Sequence, residues 1–231
     1  MTLKSYLDKD FNSYIGYLKK GTYISIFFWI TAIISIIFFD RSLSLYIFYK
    51  NIKNDYIPNY ITVESIYHFI IPLDLILIFL LPTKPKFGKK YCLIIYFVLI
   101  TVLTDLIKTY LKIVFGRDWP DPSSNPGKYG SLIGDNEFGF HFLHSISWQG
   151  SFPSGHATFI TVTSLTTYLI TEKLKYFWIA VIVIMIVCIL ILNFHFLGDC
   201  LGGIALGVLM SYYGIVLYQW IISKINYKLN F

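Results

Sequence analysis

The stretch SFPSGH, residues Ser151 to His156, opens directly onto the apolar run ATFITVTSLTTYLI, residues Ala157 to Ile170. A proline, a capping serine, a glycine and a titratable histidine in succession mark the start of a helix. The free N–H groups of such a helix start point outward toward an anion. The run behind them is apolar enough to lie within a membrane, so the reading of this stretch fixes both a helical fold and an anion site at one end of a helix.

Composition agrees with a membrane setting. Of 231 residues, 56% are hydrophobic and only 14% charged, too few charges to solvate a water-soluble domain of this size. The net charge of +6 sits on lysines between apolar runs rather than on a basic stripe, which excludes nucleic acid as a partner and fits a membrane charge bias. Cys92, Cys188 and Cys200 lie in or beside apolar runs without metal-type pairing, so neither a disulfide framework nor a zinc site is expected. The first apolar run is long enough to span and follows some twenty mixed residues, unlike a cleavable signal.

The chain reads as a single all-α membrane domain, residues 1–231, with six transmembrane helices. Residues 1–21, with Lys4, Asp8, Lys9, Asp10, Lys19 and Lys20, form an amphipathic segment expected at the membrane surface. Spans are expected at Gly21–Phe39, Ser65–Thr83, Tyr91–Phe115, Ser154–Thr171, Tyr176–Phe194 and Cys200–Ser223. Asp40–Tyr60 is a polar connection, and Lys84, Lys86, Lys89 and Lys90 follow the second span. Gly203 and Gly207, four residues apart, allow close packing of the last helix. Residues 116–150 form one long loop rich in Gly, Pro, Ser and Asn, of the kind that carries function.

With the N-terminus in the cytosol, 12 of the 19 basic residues fall on the inner side, which favours both termini inside. That orientation brings three polar clusters to the outer face. They are Lys108 to Lys112 with Gly116-Arg117-Asp118-Trp119-Pro120, the 151–156 stretch, and His195-Phe196-Leu197-Gly198-Asp199. Two histidines, fixed cations and a carboxylate four residues after one histidine are the parts of a phosphoryl-transfer site. One imidazole attacks phosphorus, the other protonates the leaving oxygen, and cations with backbone N–H groups hold the equatorial oxygens. No metal or other cofactor is required by this set.

From about Lys108 to Gly207 the sequence resembles the type 2 phosphatidate phosphatases, membrane lipid phosphatases that share their site architecture with vanadium haloperoxidases. Pro153-Ser154-Gly155-His156 matches the family's second motif in full, and His195 with Asp199 matches the end of the third. The resemblance implies a catalytic half at about residues 105–207, with His195 as nucleophile, Asp199 orienting it and His156 as general acid. Lys112, Arg117, Ser154, Gly155 and Lys108 are the expected phosphate ligands. A Gly-Arg-any-Trp-Pro first motif, with a later segment like Phe138-Gly139-Phe140-His141, also resembles a subgroup that includes lipid A 4'-phosphatases.

The sequence departs from the family pattern at two arginines. Trp119 stands where the first motif has arginine, with Arg117 the expected substitute, and Cys188 and Ile189 stand where the third motif has Ser-Arg. Two other readings stay open beside a lipid phosphatase: a lipid phosphotransferase, which would pass the same phosphohistidine to an acceptor other than water, and, because Ser-Arg is absent, a non-catalytic binder or transporter of an anionic lipid. The expected substrates are a lipid A 4'-phosphate, then undecaprenyl diphosphate, then phosphatidate or phosphatidylglycerol phosphate, in a bacterial inner membrane with the site facing the periplasm. Asp74 and Asp105 are expected to pair with neighbouring groups, Asp105 with Lys108 or Lys112. His141 and His144 read as loop residues and His68 as interfacial. Trp119, Trp148, Tyr129 and Phe152 suit an apolar rim or an aromatic belt.

Overall fold

The computed structural model describes the backbone of residues 3–52, 61–82, 90–122, 130–143 and 150–229, with side chains over 13–52, 69–82, 90–122, 130–143 and 150–224. His68, Lys84, Lys86, Lys89, Tyr129, His144 and Trp148, discussed above, lie outside the described side chains. The described residues form seven helices: α1 Leu3–Phe38, α2 Asp40–Tyr49, α3 Ile61–Leu80, α4 Lys90–Phe115, α5 Gly155–Thr171, α6 Lys175–Ile191 and α7 Leu197–Leu229. Three are long and apolar enough to cross a membrane, over Ser13–Phe38, Lys90–Phe115 and Leu197–Lys224, and shorter apolar helices cover Phe69–Leu80 and Lys175–Ile191.

The residues ahead of the expected first span continue it as one helix, because α1 runs unbroken from Leu3 to Phe38. Within the expected polar connection, Asp40–Tyr49 forms the short helix α2.

Polarity is distributed inside out relative to a water-soluble bundle. Ile26, Phe27, Ile30 and Ile37 of α1, Leu99 and Leu106 of α4, and Val183 and Ile184 of α6 are exposed, while Thr161, Thr163, Ser164, Thr166 and Thr167 of α5 are buried. Without water outside, helices associate through close packing and internal hydrogen bonds rather than by hiding apolar faces. Asp74 of α3 is fully buried and its Oδ1 accepts from Thr167 Oγ1 at 2.7 Å, so this costly carboxylate is paired across two helices.

α5 is the central helix, buried along nearly its whole length. Ser154 caps it, its hydroxyl accepting from Ala157 N–H at 3.3 Å, and Glu172 ends it in the left-handed region at φ 56°. α7 lies against it through Gly203 and Gly207: a Cβ at Gly203 would fall 2.7 Å from Ser154 O, and one at Gly207 2.7 Å from Thr161 Cβ. α1 packs along the other side of α7, where Ser25 Oγ donates to Ala205 O at 2.9 Å and Gly21 faces Tyr212. This α1–α7–α5 stack brings the end of α1, the start of α7 and the start of α5 to one end of the bundle.

Candidate active site

The capped start of α5 presents His156 in its first turn. A tight turn between α6 and α7 presents His195: α6 ends at Ile191, Asn193 takes a positive φ of 54°, and α7 begins at Leu197. The two elements are tied together, because Ser154 N–H donates to Asp199 O at 3.0 Å. The imidazoles of His156 and His195 therefore lie with ring centroids 6.1 Å apart.

Asp199 stands in the first turn of α7, where an acidic group complements the helix dipole. Its Oδ2 accepts from Phe196 N–H at 3.1 Å, the return half of a capping box, and lies 3.5 Å from His195 Nδ1. The spacing of four between His195 and Asp199 thus places the carboxylate behind the imidazole and leaves the far nitrogen for chemistry. Burial, more than any single charge, lowers the His195 pKa from its ordinary value; the nearby Asp199 carboxylate pulls upward, and Lys112 and Arg117 push down. The imidazole is accordingly neutral at neutral pH, the form a nucleophile requires.

Lys112, near the end of α4, is only 9% exposed. Its ammonium donates to Gly150 O at 2.6 Å and sits 4.9 Å above the Trp119 ring, which also lies 5.0 Å from the His195 ring. Lys108, one turn earlier, pairs with Asp105 at 2.6 Å, and its Nζ would lie 3.8 Å from a Cβ placed on Gly155. Lys112, Lys108, Gly155 and the two histidines are thus gathered at the same end of α4 and α5.

Two expected phosphate ligands are placed otherwise. Arg117 is 1% exposed, with Nη1 on Asp199 Oδ1 at 2.5 Å and Nη2 on Asp40 Oδ2 at 2.8 Å. The rings of Phe196, Phe140 and Phe138 surround its guanidinium at 4.4, 5.0 and 5.5 Å. Both of its terminal nitrogens are thus engaged by buried carboxylates. Ser154 is also spoken for, its N–H by Asp199 O and its hydroxyl oxygen by Ala157 N–H. The second motif arginine has no counterpart: Ile189 is fully buried in an apolar cluster with Ile160, Met185 and Leu192.

The described parts of the long loop, residues 116–122 and 130–143, form a cap built on residues 116–119. Asp118 N–H donates to Gly139 O at 3.1 Å, His141 N–H to Gly116 O at 3.0 Å, and Trp119 N–H to Gly130 O at 3.0 Å. The Phe138–His141 segment is the strand-like partner of Arg117, which explains its aromatic residues: they enclose the guanidinium. Trp119 and Phe152 are buried and are not an exposed rim; Phe152 packs on Trp29, Phe115 and Phe140. Asp118, Glu137 and His141 bring one donor atom each to within 4.8 Å of one another. A divalent cation accepts such donors by type, but Asp118 Oδ1 already meets His141 Nε2 at 2.9 Å.

Sequence reasoning missed Asp40, because a lone carboxylate after an apolar run carries no periodic or motif signal. It is 1% exposed and accepts from Ser35 Oγ at 2.6 Å and Gly198 N–H at 2.8 Å as well as from Arg117.

Searches of curated proteins and of solved structures return no match. The family model described as the PAP2 superfamily matches residues 93–223, more than half of the chain and every one of the histidines and cations just placed, but neither α1 nor α2. The chain therefore belongs to the PAP2 superfamily, whose members are phosphatases.

Proposed function

We propose that this protein is an integral membrane lipid phosphatase that removes a phosphate from a lipid phosphomonoester or diphosphate through a phosphohistidine. The observation that carries the reading is the convergence of the His156 and His195 rings at 6.1 Å, with Asp199 behind one of them. Nε2 of His195 attacks phosphorus while Asp199 holds the Nδ1 side, and the bond from phosphorus to the lipid oxygen breaks. His156 gives that oxygen its proton, then takes one from the water that cleaves the phosphohistidine. Lys112, Lys108 and the N–H of Gly155 in the open first turn of α5 stabilise the phosphoryl oxygens. No step calls on a metal.

A lipid substrate is favoured by the surroundings of Lys108. It lines a small groove between α4 and α5 together with Thr101, Thr104, Gly155 and Thr158. On the same helix, Leu103, Leu106 and Tyr110 are exposed. A phosphate carried on an apolar chain would be delivered along such a face. Six spans, cytosolic termini and a periplasmic site in a bacterial inner membrane complete the reading, with lipid A 4'-phosphate first and undecaprenyl diphosphate second among substrates.

The test is phosphate release by the purified protein from lipid A, undecaprenyl diphosphate and phosphatidate, with and without vanadate. Release from at least one lipid, blocked by vanadate and accompanied by a trapped phosphohistidine at His195, is expected. Transfer of the phosphoryl group to an added alcohol in preference to water would identify a phosphotransferase, and binding without release would identify a carrier.

A further inference from the structure

The family match begins at residue 93, yet the turn that carries His195 is gripped from outside that region. Asp40 opens α2, and its two oxygens hold two different parts of the site. Oδ1 accepts from Gly198 N–H at 2.8 Å, inside the segment that links His195 to Asp199. Oδ2 accepts from Arg117 Nη2 at 2.8 Å, and the same guanidinium grips Asp199 through Nη1 at 2.5 Å. One turn along α2, Ser44 meets the other end of the catalytic turn: its Oγ donates to Asn193 Oδ1 at 2.9 Å, and Asn193 Nδ2 returns a bond to Ser44 O at 3.2 Å.

The approach is too close for accident. A Cβ on Gly198 would fall 2.6 Å from Asp40 Oδ2 and 2.6 Å from Ile36 Cγ1, so only glycine lets the α1–α2 corner reach the turn. All the partners are buried, Asp40, Ser44, Arg117, Asn193 and Asp199 each at 3% exposure or less. A buried carboxylate that divides its oxygens among Ser35, one turn and that turn's supporting arginine costs desolvation without adding much net stability, which points to a role in holding geometry.

We infer that Asp40, assisted by Ser44, is a positioning residue of the phosphatase site: the α1–α2 corner clamps the 193–199 turn at both ends and fixes Asp199 behind His195. Neither residue reaches the reacting atoms; each acts on the orientation of the His195 imidazole. Burial is the largest influence on the Asp40 carboxyl and raises its pKa, as does the charge of Asp199, while Arg117 lowers it. Replacement by asparagine therefore changes the hydrogen-bond set at almost constant size.

The inference rests on the phosphatase reading, and the test separates the two. Full-length wild type, Asp40→Asn and Ser44→Ala are purified in detergent and compared for thermal transition, kcat and KM on a lipid phosphate that the wild type hydrolyses. Asp40→Asn is expected to lower kcat at least tenfold, and Ser44→Ala about threefold, with KM within twofold. A folded Asp40→Asn with kcat within twofold of wild type would overturn the clamp. Should Asp40→Asn fail to fold, Ser44→Ala decides: a drop in kcat at constant KM supports the clamp and an unchanged kcat overturns it. Should the wild type hydrolyse no lipid, the phosphatase reading falls, and the clamp is judged from the His195 imidazole resonance, which must move in the variants; an unmoved resonance overturns it.

Discussion

Arg117 Nη1 donates to Asp199 Oδ1 at 2.5 Å, leaving Oδ2 of the same carboxylate 3.5 Å from His195 Nδ1. With Asp40 on Nη2, the guanidinium neutralises two buried carboxylates at once. Arg117→Ala is therefore expected to lower stability by about 3–5 kcal/mol as well as activity, because it strands buried negative charge. Arg117→Ala combined with Asp40→Asn recovers part of that loss, since one stranded charge is gone. Thermal unfolding of the two variants checks this. A variant with wild-type stability and only a raised KM would place Arg117 at the phosphate after all.

The two histidines have unequal tasks, so their removal has unequal effects. His195→Ala removes the attacking atom and should abolish phosphate release. His156→Ala removes proton transfer to the leaving oxygen and should slow release by about 10²–10⁴-fold. A lipid analogue with a better leaving group should be less affected by His156→Ala. Near-native turnover in either variant would exclude the two-histidine mechanism.

The lowered pKa of His195 has a definite sign for both activity and stability. Burial is its main cause, so the folded protein takes up the proton at a lower pH than the unfolded chain, whose histidine titrates near 6.5. Stability falls as pH drops below about 6.5 toward the folded value, because the unfolded state binds the extra proton first. The neutral nucleophile meanwhile persists below 6.5. The His195 imidazole should titrate with a midpoint under 6.5, and acidification from pH 7 to 5 should lower Tm less in His195→Gln than in wild type. A midpoint at or above 6.5 would show that the pull of Asp199 matches or outweighs burial.

Lys112 and Lys108 separate structure from substrate binding. Lys112 holds the carbonyls of Gly150 and Ser151, at 2.6 and 3.4 Å, so Lys112→Met should lower both Tm and kcat. Lys108 is partly exposed and pairs only with an exposed Asp105 among the contacts described. Exposed pairs contribute little to stability, so Lys108→Met should leave Tm unchanged and raise KM for the lipid phosphate about three- to tenfold. Equal effects of the two changes on Tm would show that Lys108 is structural.

What the sequence discloses of this site follows from how local each feature is. The Pro153–His156 cap and the four-residue step from His195 to Asp199 are short-range, and a helix start or a single turn realises them as read. The shared face of the three clusters follows from run lengths and from where the lysines fall. Arg117 shows the limit. Its spacing suits a phosphate ligand, but its partners are Asp40, 77 residues away, and Asp199, 82 residues away. No periodicity encodes such contacts. The partner of the Ser154 amide is hidden for the same reason, because it is Asp199 O on a helix that only tertiary packing brings near. The α1–α2 corner reads as a polar connection because the partners of Ser44 and Asp40, Asn193 and Gly198, lie 149 and 158 residues away.

The glycines of α7 give the last prediction, which tests whether packing and catalysis are coupled. A Cβ on Gly203 would press on Ser154 O at 2.7 Å and Ala157 Cβ at 2.9 Å, both fixed parts of the first turn of α5. A Cβ on Gly214 would meet Ile100 Cδ1 at 2.6 Å, the end of a flexible side chain. Overpacking costs about 1–3 kcal/mol when the neighbours cannot yield, and less when a side chain can rotate away. Gly203→Ala should therefore lower Tm and, by displacing the turn that carries His156, lower kcat as well. Gly214→Ala should be milder in Tm and leave kcat unchanged, since nothing it touches belongs to the site. If Gly203→Ala lost stability but kept full kcat, the start of α5 would tolerate displacement, and the positions of His156 and His195 would have to be held by the loop cap and the α1–α2 corner rather than by the α5–α7 contact.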